Sequence, residues 1–245
     1  RADHLIPPGQ KMGESLALIT PKQEKAEYRP EERGEQPEKQ EKPKARMLIY
    51  WGCAEDVAKG QPKVIDTENM SPADFGRAFA GRSAGHQTPP MPRKGWTYGE
   101  WPNDDDRKEV PGDSSLVGEH QLKGSYLPDI RFSLDQQRDF MAPVSFSAIS
   151  KRENGAWPFQ WQQIPTATAY FATAMGHNQK TGETIFWSSS EVQETGMGLL
   201  NYLTNADVQR FLKEKVLMPV SRTSCTIPAG VFKDAEGAML QFIAY

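Results

Sequence analysis

Along residues 142–245, apolar side chains recur at every second position in short runs, the spacing that turns one face of a β-strand toward a core. Val144, Phe146 and Ala148 alternate with Ser145, Ser147 and Ile149, and Phe159 and Trp161 share one face. Ala169 to Met175 and Thr184 to Ser188 read as a hairpin around a turn at Asn178 to Gly182, with Lys180-Thr181-Gly182 at its tip. Cys225-Thr226-Ile227 is a predicted strand stopped by Pro228, and Ala238 to Tyr245 predicts the last one. Short strands at regular spacing, with turn residues between them, predict a sandwich or barrel. One stretch breaks the period. Asn205 to Leu217 puts Val208, Phe211, Leu212 and Lys215 on one helical stripe, with Asn205 as N-cap and Pro219 beyond the end. Asp207 suits the positive end of that helix, and Lys213 and Lys215 its last turn.

Upstream the pattern is irregular. Ser15 to Thr20 is a short apolar run that reads as a strand or as an arm lying on another surface. Residues 21–46 follow, more than half of them Lys, Arg or Glu with four Pro, a composition that predicts a solvated flexible spacer. Order is expected to resume with the strand Met47 to Trp51, broken by Gly52, and a shorter strand at Val64 to Asp66. Ser71-Pro72 predicts the start of a short helix with Phe75 and Phe79 on one face. Residues 81–124 form a long loop rich in Gly, Pro and charge, and loops of that length are functional or disordered. Tyr126 to Leu134 alternates again, with Ile130, Phe132 and Leu134 on one face, and Asp135 to Met141 is a polar turn. The expected division is an extended arm and spacer (1–46), an irregular β-containing region (47–141) and a sandwich (142–245).

FQWQQIPTATAYFATAMG resembles the B–C region of a fibronectin type III-like domain, where a buried Trp is followed by a Tyr on the next strand. TSCTIPAGVFKDAEGAMLQFIAY is similar to the E–F end of that fold. The resemblance covers roughly residues 142–245. It implies a mainly β, antiparallel immunoglobulin/fibronectin type III-like sandwich in which Trp161 and Tyr170 meet in one interior, with the helix as an insertion. The chain from Met47 onward also resembles an uncharacterised group of bacterial exported proteins, through LIYWGC, GQPKVID, WSSSEV and CTIPAG. That resemblance implies location and nothing mechanistic.

Composition narrows the partners. The 245 residues are 37% hydrophobic and carry a formal net charge of -3, which gives no electrostatic reason to expect nucleic acid. No stretch approaches the roughly 20 apolar residues of a membrane helix. A first residue Arg1 in place of Met fits a processed exported protein or a trimmed chain. Cys53 and Cys225 are the only cysteines. They permit one bridge, closing a loop of about 170 residues worth on the order of 5 kcal/mol, or two buried thiols acting as small hydrophobes.

Chemistry is sparse. The motifs of nucleophile elbows, phosphate-binding loops, dinucleotide folds and zinc proteases are absent. Ser188-Ser189-Ser190-Glu191 tempts a nucleophile reading but fits a hydroxyl-rich strand end. The histidines, His4, His86, His120 and His177, show no metal-ligand spacing and read as surface or loop residues. Asn103 to Asp106 with Glu109 and Asp113 is the densest acidic cluster: either a solvated loop or a Ca²⁺ site with Asp104 and Asp106 as ligands. Trp96, Tyr98 and Trp101 are candidate ligand-binding aromatics, able to stack on sugars or anchor in a partner, or else to fold back as a plug. Leu16, Leu18 and Ile19 are candidates for a partner-binding arm.

These features predict a non-catalytic protein of the cell exterior or envelope that binds or scaffolds other proteins, without a cofactor. One alternative is a filament subunit that donates residues 15–20 as a strand to its neighbour. Another is a carbohydrate-binding protein using the loop aromatics.

Overall fold

The computed structural model describes residues 2–20, 46–71 and 98–245. The expected spacer, the helix after Ser71, Trp96 and His86 lie outside the described residues. In chain order the strands are β1 (Ala2–Leu5), β2 (Ser15–Leu18), β3 (Arg46–Trp51), β4 (Lys63–Asp66), β5 (Gly118–Gly124), β6 (Leu127–Leu134), β7 (Phe146–Ile149), β8 (Trp157–Trp161), β9 (Ala169–Asn178), β10 (Glu183–Ser188), β11 (Met218–Pro219), β12 (Ser224–Ile227) and β13 (Ala238–Ala244). One α-helix, α1, spans Asn205–Lys213 among the described residues. The fold is mainly β, in three sheets.

The described parts of Arg1–Pro37 and Gln87–Ala142 form one compact unit, and those of Glu38–His86 and Pro143–Tyr245 form another. The grouping follows strand pairing and not order along the chain. Residues 15–18, expected as a strand or an arm, are β2 and pair with β1. Met47 to Trp51, expected in an irregular middle region, is β3 and joins the sheet of the second unit.

The first unit is an antiparallel sheet of order β2-β1-β5-β6. Its register sets His4 opposite Leu122 and Leu16, and His120 opposite Phe132. Directly opposed residues share a face. Leu16, Leu18, His4, Leu122, His120, Ile130 and Phe132 therefore line one side, and Asp3, Gln121, Lys123, Asp129, Arg131 and Ser133 the other. Leu16, Ile6 and Met12 are buried together, with Trp101 packed against them.

The second unit is the sandwich. Strands β9, β10, β3 and β4 lie side by side, with β13 and β11 also paired to β9. β3 is the exception to antiparallel pairing: it runs parallel to β10, Tyr50 opposite Trp187. The opposing layer is the three-stranded sheet β12-β8-β7. Trp161 and Tyr170 meet between the layers as the fold reading requires, ring centroids 5.5 Å apart and nearly perpendicular. Phe242 sits 4.8 Å from Trp161, and Phe159 lies 5.7 Å from it. Each buried aromatic contributes about 2–3 kcal/mol by leaving water, and edge-to-face contacts add ~1 kcal/mol. The Tyr170 hydroxyl accepts from the Ile164 N–H (3.0 Å), so its polar tip is satisfied inside the core.

β9 is buried on both faces. Tyr170, Ala172 and Ala174 face the aromatic core. Ala169 and Phe171 face a second cluster with Val208, Phe211, Val216 and Leu217. This is why AYFATAM is nearly continuous in apolar character instead of alternating. The β9–β10 turn has the expected chemistry: the Asn178 side chain accepts from the Lys180 and Thr181 N–H groups, and Gly182 takes a positive φ of 71°.

The helix is shorter than predicted and its cap is one residue earlier. Thr204, not Asn205, accepts from the Asp207 N–H (3.1 Å). Helix α1 ends at Lys213 because Lys215 turns left-handed at φ 61°. The Lys215 N–H then bonds Leu212 and the Val216 N–H bonds Phe211, a Schellman ending with buried Phe211 and Val216 as its apolar pair.

Cys53 and Cys225, 172 positions apart in sequence, are bonded as a disulfide. The bond ties the segment after β3 to β12, and so one layer of the sandwich to the other. Replacing both cysteines with Ala is expected to lower the unfolding free energy by about 3–5 kcal/mol in urea titrations followed by Trp fluorescence. A loss below about 1 kcal/mol contradicts that role.

Candidate functional site

The candidate site lies in the first unit, and its walls come from the register of the four-stranded sheet. Alternation puts Leu18, Leu122 and Ile130 on one face of the sheet, with Leu122 directly opposite Ile130 and Leu18 across β1 from Gly124. Tyr98 and Gly99 run along the outside of β2, joined to it by a bridge between Ile19 and Glu100 (3.2 and 2.9 Å). Gly99 is required there: a Cβ would come within 2.9 Å of the Leu18 carbonyl carbon. The result is a groove of about 520 Å³ lined by Leu18, Tyr98, Leu122, Tyr126, Leu127 and Ile130 among others.

The groove opens beside β6, the free edge of the sheet. β6 pairs with β5 on one side and with no other described strand. Seven of its eight residues are exposed. Large apolar side chains are exposed along and beside it: Tyr126 at 94%, Ile130 at 48% and Phe132 at 38% relative accessibility. A contiguous apolar row on a strand edge is the signature of a contact surface. The opposite edge is closed. Beyond the Ile19–Glu100 bridge, the Asn103 side chain donates to the Ala17 carbonyl (2.8 Å).

The sequence candidates separate here. Tyr98 lines the groove, and so do Leu18 and Ile19. Leu16 is only 3% exposed and belongs to the small core. Trp101 is part of the same packing, and its indole N–H is buried without a hydrogen-bond partner among the described residues. It is a plug of this unit, not an offered ring.

A second, more polar depression of about 590 Å³ lies on the other side of Ile19 and includes Asp104. It is the larger, but its walls are turn residues engaged with one another. Asn103 organises the turn, accepting from the Asp105 and Asp106 N–H groups. Asp104 pairs with Arg107, and Asp106 with Lys108 at 3.9 Å. No group of three potential metal ligands occurs among the described residues.

In the second unit, Ser188, Ser189 and Ser190 are buried, each hydroxyl in a local bond. Ser188 donates to the Glu194 carbonyl, Ser189 accepts from the Ala172 N–H and Ser190 from the Val192 N–H. They read as a strand end.

Sequence reasoning missed a histidine pair. His4 Nε2 lies 3.0 Å from His120 Nδ1, and His120 Nε2 lies 2.7 Å from the Leu116 carbonyl. A carbonyl only accepts, so His120 Nε2 carries its proton and bare Nδ1 accepts from His4 Nε2–H. Phe132 stacks on the His120 ring at 5.0 Å, which connects the pair to β6. The two residues are 116 positions apart, and only the β1–β5 register brings them together.

Compared with protein-family models, curated proteins and solved structures, the chain matches none.

Burial first, and His120 second, lower the His4 pKa from its ordinary value of 6.5. The unfolded chain therefore binds this proton more readily than the folded one. Stability is full above pH 6.5 and falls as pH drops below it, down to the lowered value. Unfolding midpoints measured across that window should decline for the native chain and decline less for His4→Gln. Identical pH profiles for the two contradict the assignment.

Proposed function

We propose that the protein is a non-catalytic binding module that works outside the cytoplasm and takes a protein segment along the apolar flank of β6. The single observation behind this reading is the row Tyr126, Leu127, Ile130 and Phe132, exposed along and beside an edge strand next to a groove. An extended peptide satisfies both features at once, with main-chain bonds to the edge and apolar side chains in the groove. The Cys53–Cys225 disulfide supports an oxidising compartment, where such bonds persist. No helix among the described residues is long and apolar enough to cross a membrane. The non-catalytic part of the reading draws on the buried serines, each committed to main-chain bonds. The likeness of the sandwich to immunoglobulin and fibronectin type III domains fits a binding role and is part of the same proposal.

A filament built by donating residues 15–20 is the weaker reading, because β2 would have to leave β1 and expose Leu16. A glycan ligand is a second reading, favoured by the Tyr126 ring at the groove mouth, exposed at 94%.

Panning displayed random peptides against the immobilised full chain tests the first reading. Enriched sequences should alternate apolar residues, and Leu127→Asp combined with Tyr98→Ala should weaken their binding at least about tenfold. Unchanged binding by that double variant contradicts it, and a glycan that binds in a Tyr126-dependent manner shifts the choice to the second reading.

A further inference from the structure

The charge pattern of β6 selects its own copy as a partner. An open edge strand is normally protected by charge and proline, and β6 carries Pro128, Asp129 and Arg131. Those charges discriminate among incoming strands by the charge each would set opposite them. They are of opposite sign, two residues apart, and on the same face of the sheet, the polar one.

We propose that two copies of this chain associate through antiparallel pairing of β6 with β6, on a twofold axis through Ile130. In that register Asp129 of each copy stands opposite Arg131 of the other, giving two cross-strand ion pairs on the polar face. Ile130 meets its counterpart on the apolar face, and the regular pairing is confined to Asp129 to Arg131, because a bulge interrupts β6 between Leu127 and Ile130. The neighbouring registers fail. A twofold axis through Arg131 sets Arg131 against itself, one through Asp129 sets Asp129 against itself, and an in-register parallel pairing stacks like charges. The contact joins two four-stranded sheets into one continuous sheet. It also brings together apolar side chains of β6 that the single chain leaves exposed, Ile130 at 48% and Phe132 at 38%. The other edge of the sheet is occupied by the Ile19–Glu100 bridge, so the association closes as a dimer and does not extend.

This inference rests on the reading of the β6 flank as a protein-binding surface, and the test separates the two. Asp129→Arg and Arg131→Asp are made singly in the full chain. Both positions are exposed, and the hydrogen bond that Asp129 accepts from the Gln121 side chain (2.7 Å) is itself exposed, so circular dichroism should be unchanged. Sedimentation should show a dimer for the native chain. Each single variant should be at least about tenfold weaker in self-association, since every ion pair becomes a like-charge pair. Mixing the two variants should restore the dimer, because the two arginines of one variant's β6 then face the two aspartates of the other's. A native chain that stays monomeric at its highest soluble concentration overturns the inference. So do single variants that dimerise like the native chain, or a mixture that fails to recover. If the native chain is monomeric yet peptides still bind in a Leu127-dependent manner, the dimer falls and the binding surface stands.

Discussion

The second unit depends on one strand being buried from both sides. β9 turns Tyr170, Ala172 and Ala174 toward the aromatic layer and Ala169 and Phe171 toward the helix cluster. Its edges are held by β10 and β13. Removing water from both faces of one strand couples the two clusters, so neither can loosen without exposing the other. The meeting of Trp161 and Tyr170 is the visible part of that constraint: it is where β8 of one layer packs on β9 of the other. The disulfide then secures the layers a second time, at the level of β3 and β12.

Much of this architecture is legible in the sequence because it rests on local periodicity. The hairpin at Asn178 to Gly182, the strand at Met47 to Trp51 and the helix after Thr204 each carry their own signal. What local pattern leaves out is the partner of each strand. β3 reads as a strand from its apolar run, but its parallel pairing with β10 depends on a contact across more than half the chain. The same applies to β2, whose apolar face suits an arm as well as an interior until β1 is placed beside it. Helix α1 stops early for a local reason that stripe-counting overlooks: the left-handed turn at Lys215 returns Val216 to Phe211.

The proposed binding surface was less legible. Tyr98 and Trp101 look equivalent in the loop, and burial separates them: one lines a groove and the other fills a core. The alternation of Ile130 and Phe132 suggests a core face, yet both remain exposed because β6 is an edge strand. An inward-facing pattern on an uncovered strand is a conflict between sequence and fold, and such conflicts mark function more often than error. His4 and His120 carried no usable signal, since neither has a neighbour in sequence that suggests a pair.

The two-sided burial of β9 is tested most directly by native-state hydrogen exchange in increasing sub-denaturing urea. The account predicts that the amides of Phe171 to Ala174 exchange only through global unfolding, with a urea dependence equal to that of the whole molecule. Exchange of those amides through local openings, insensitive to urea, would contradict it.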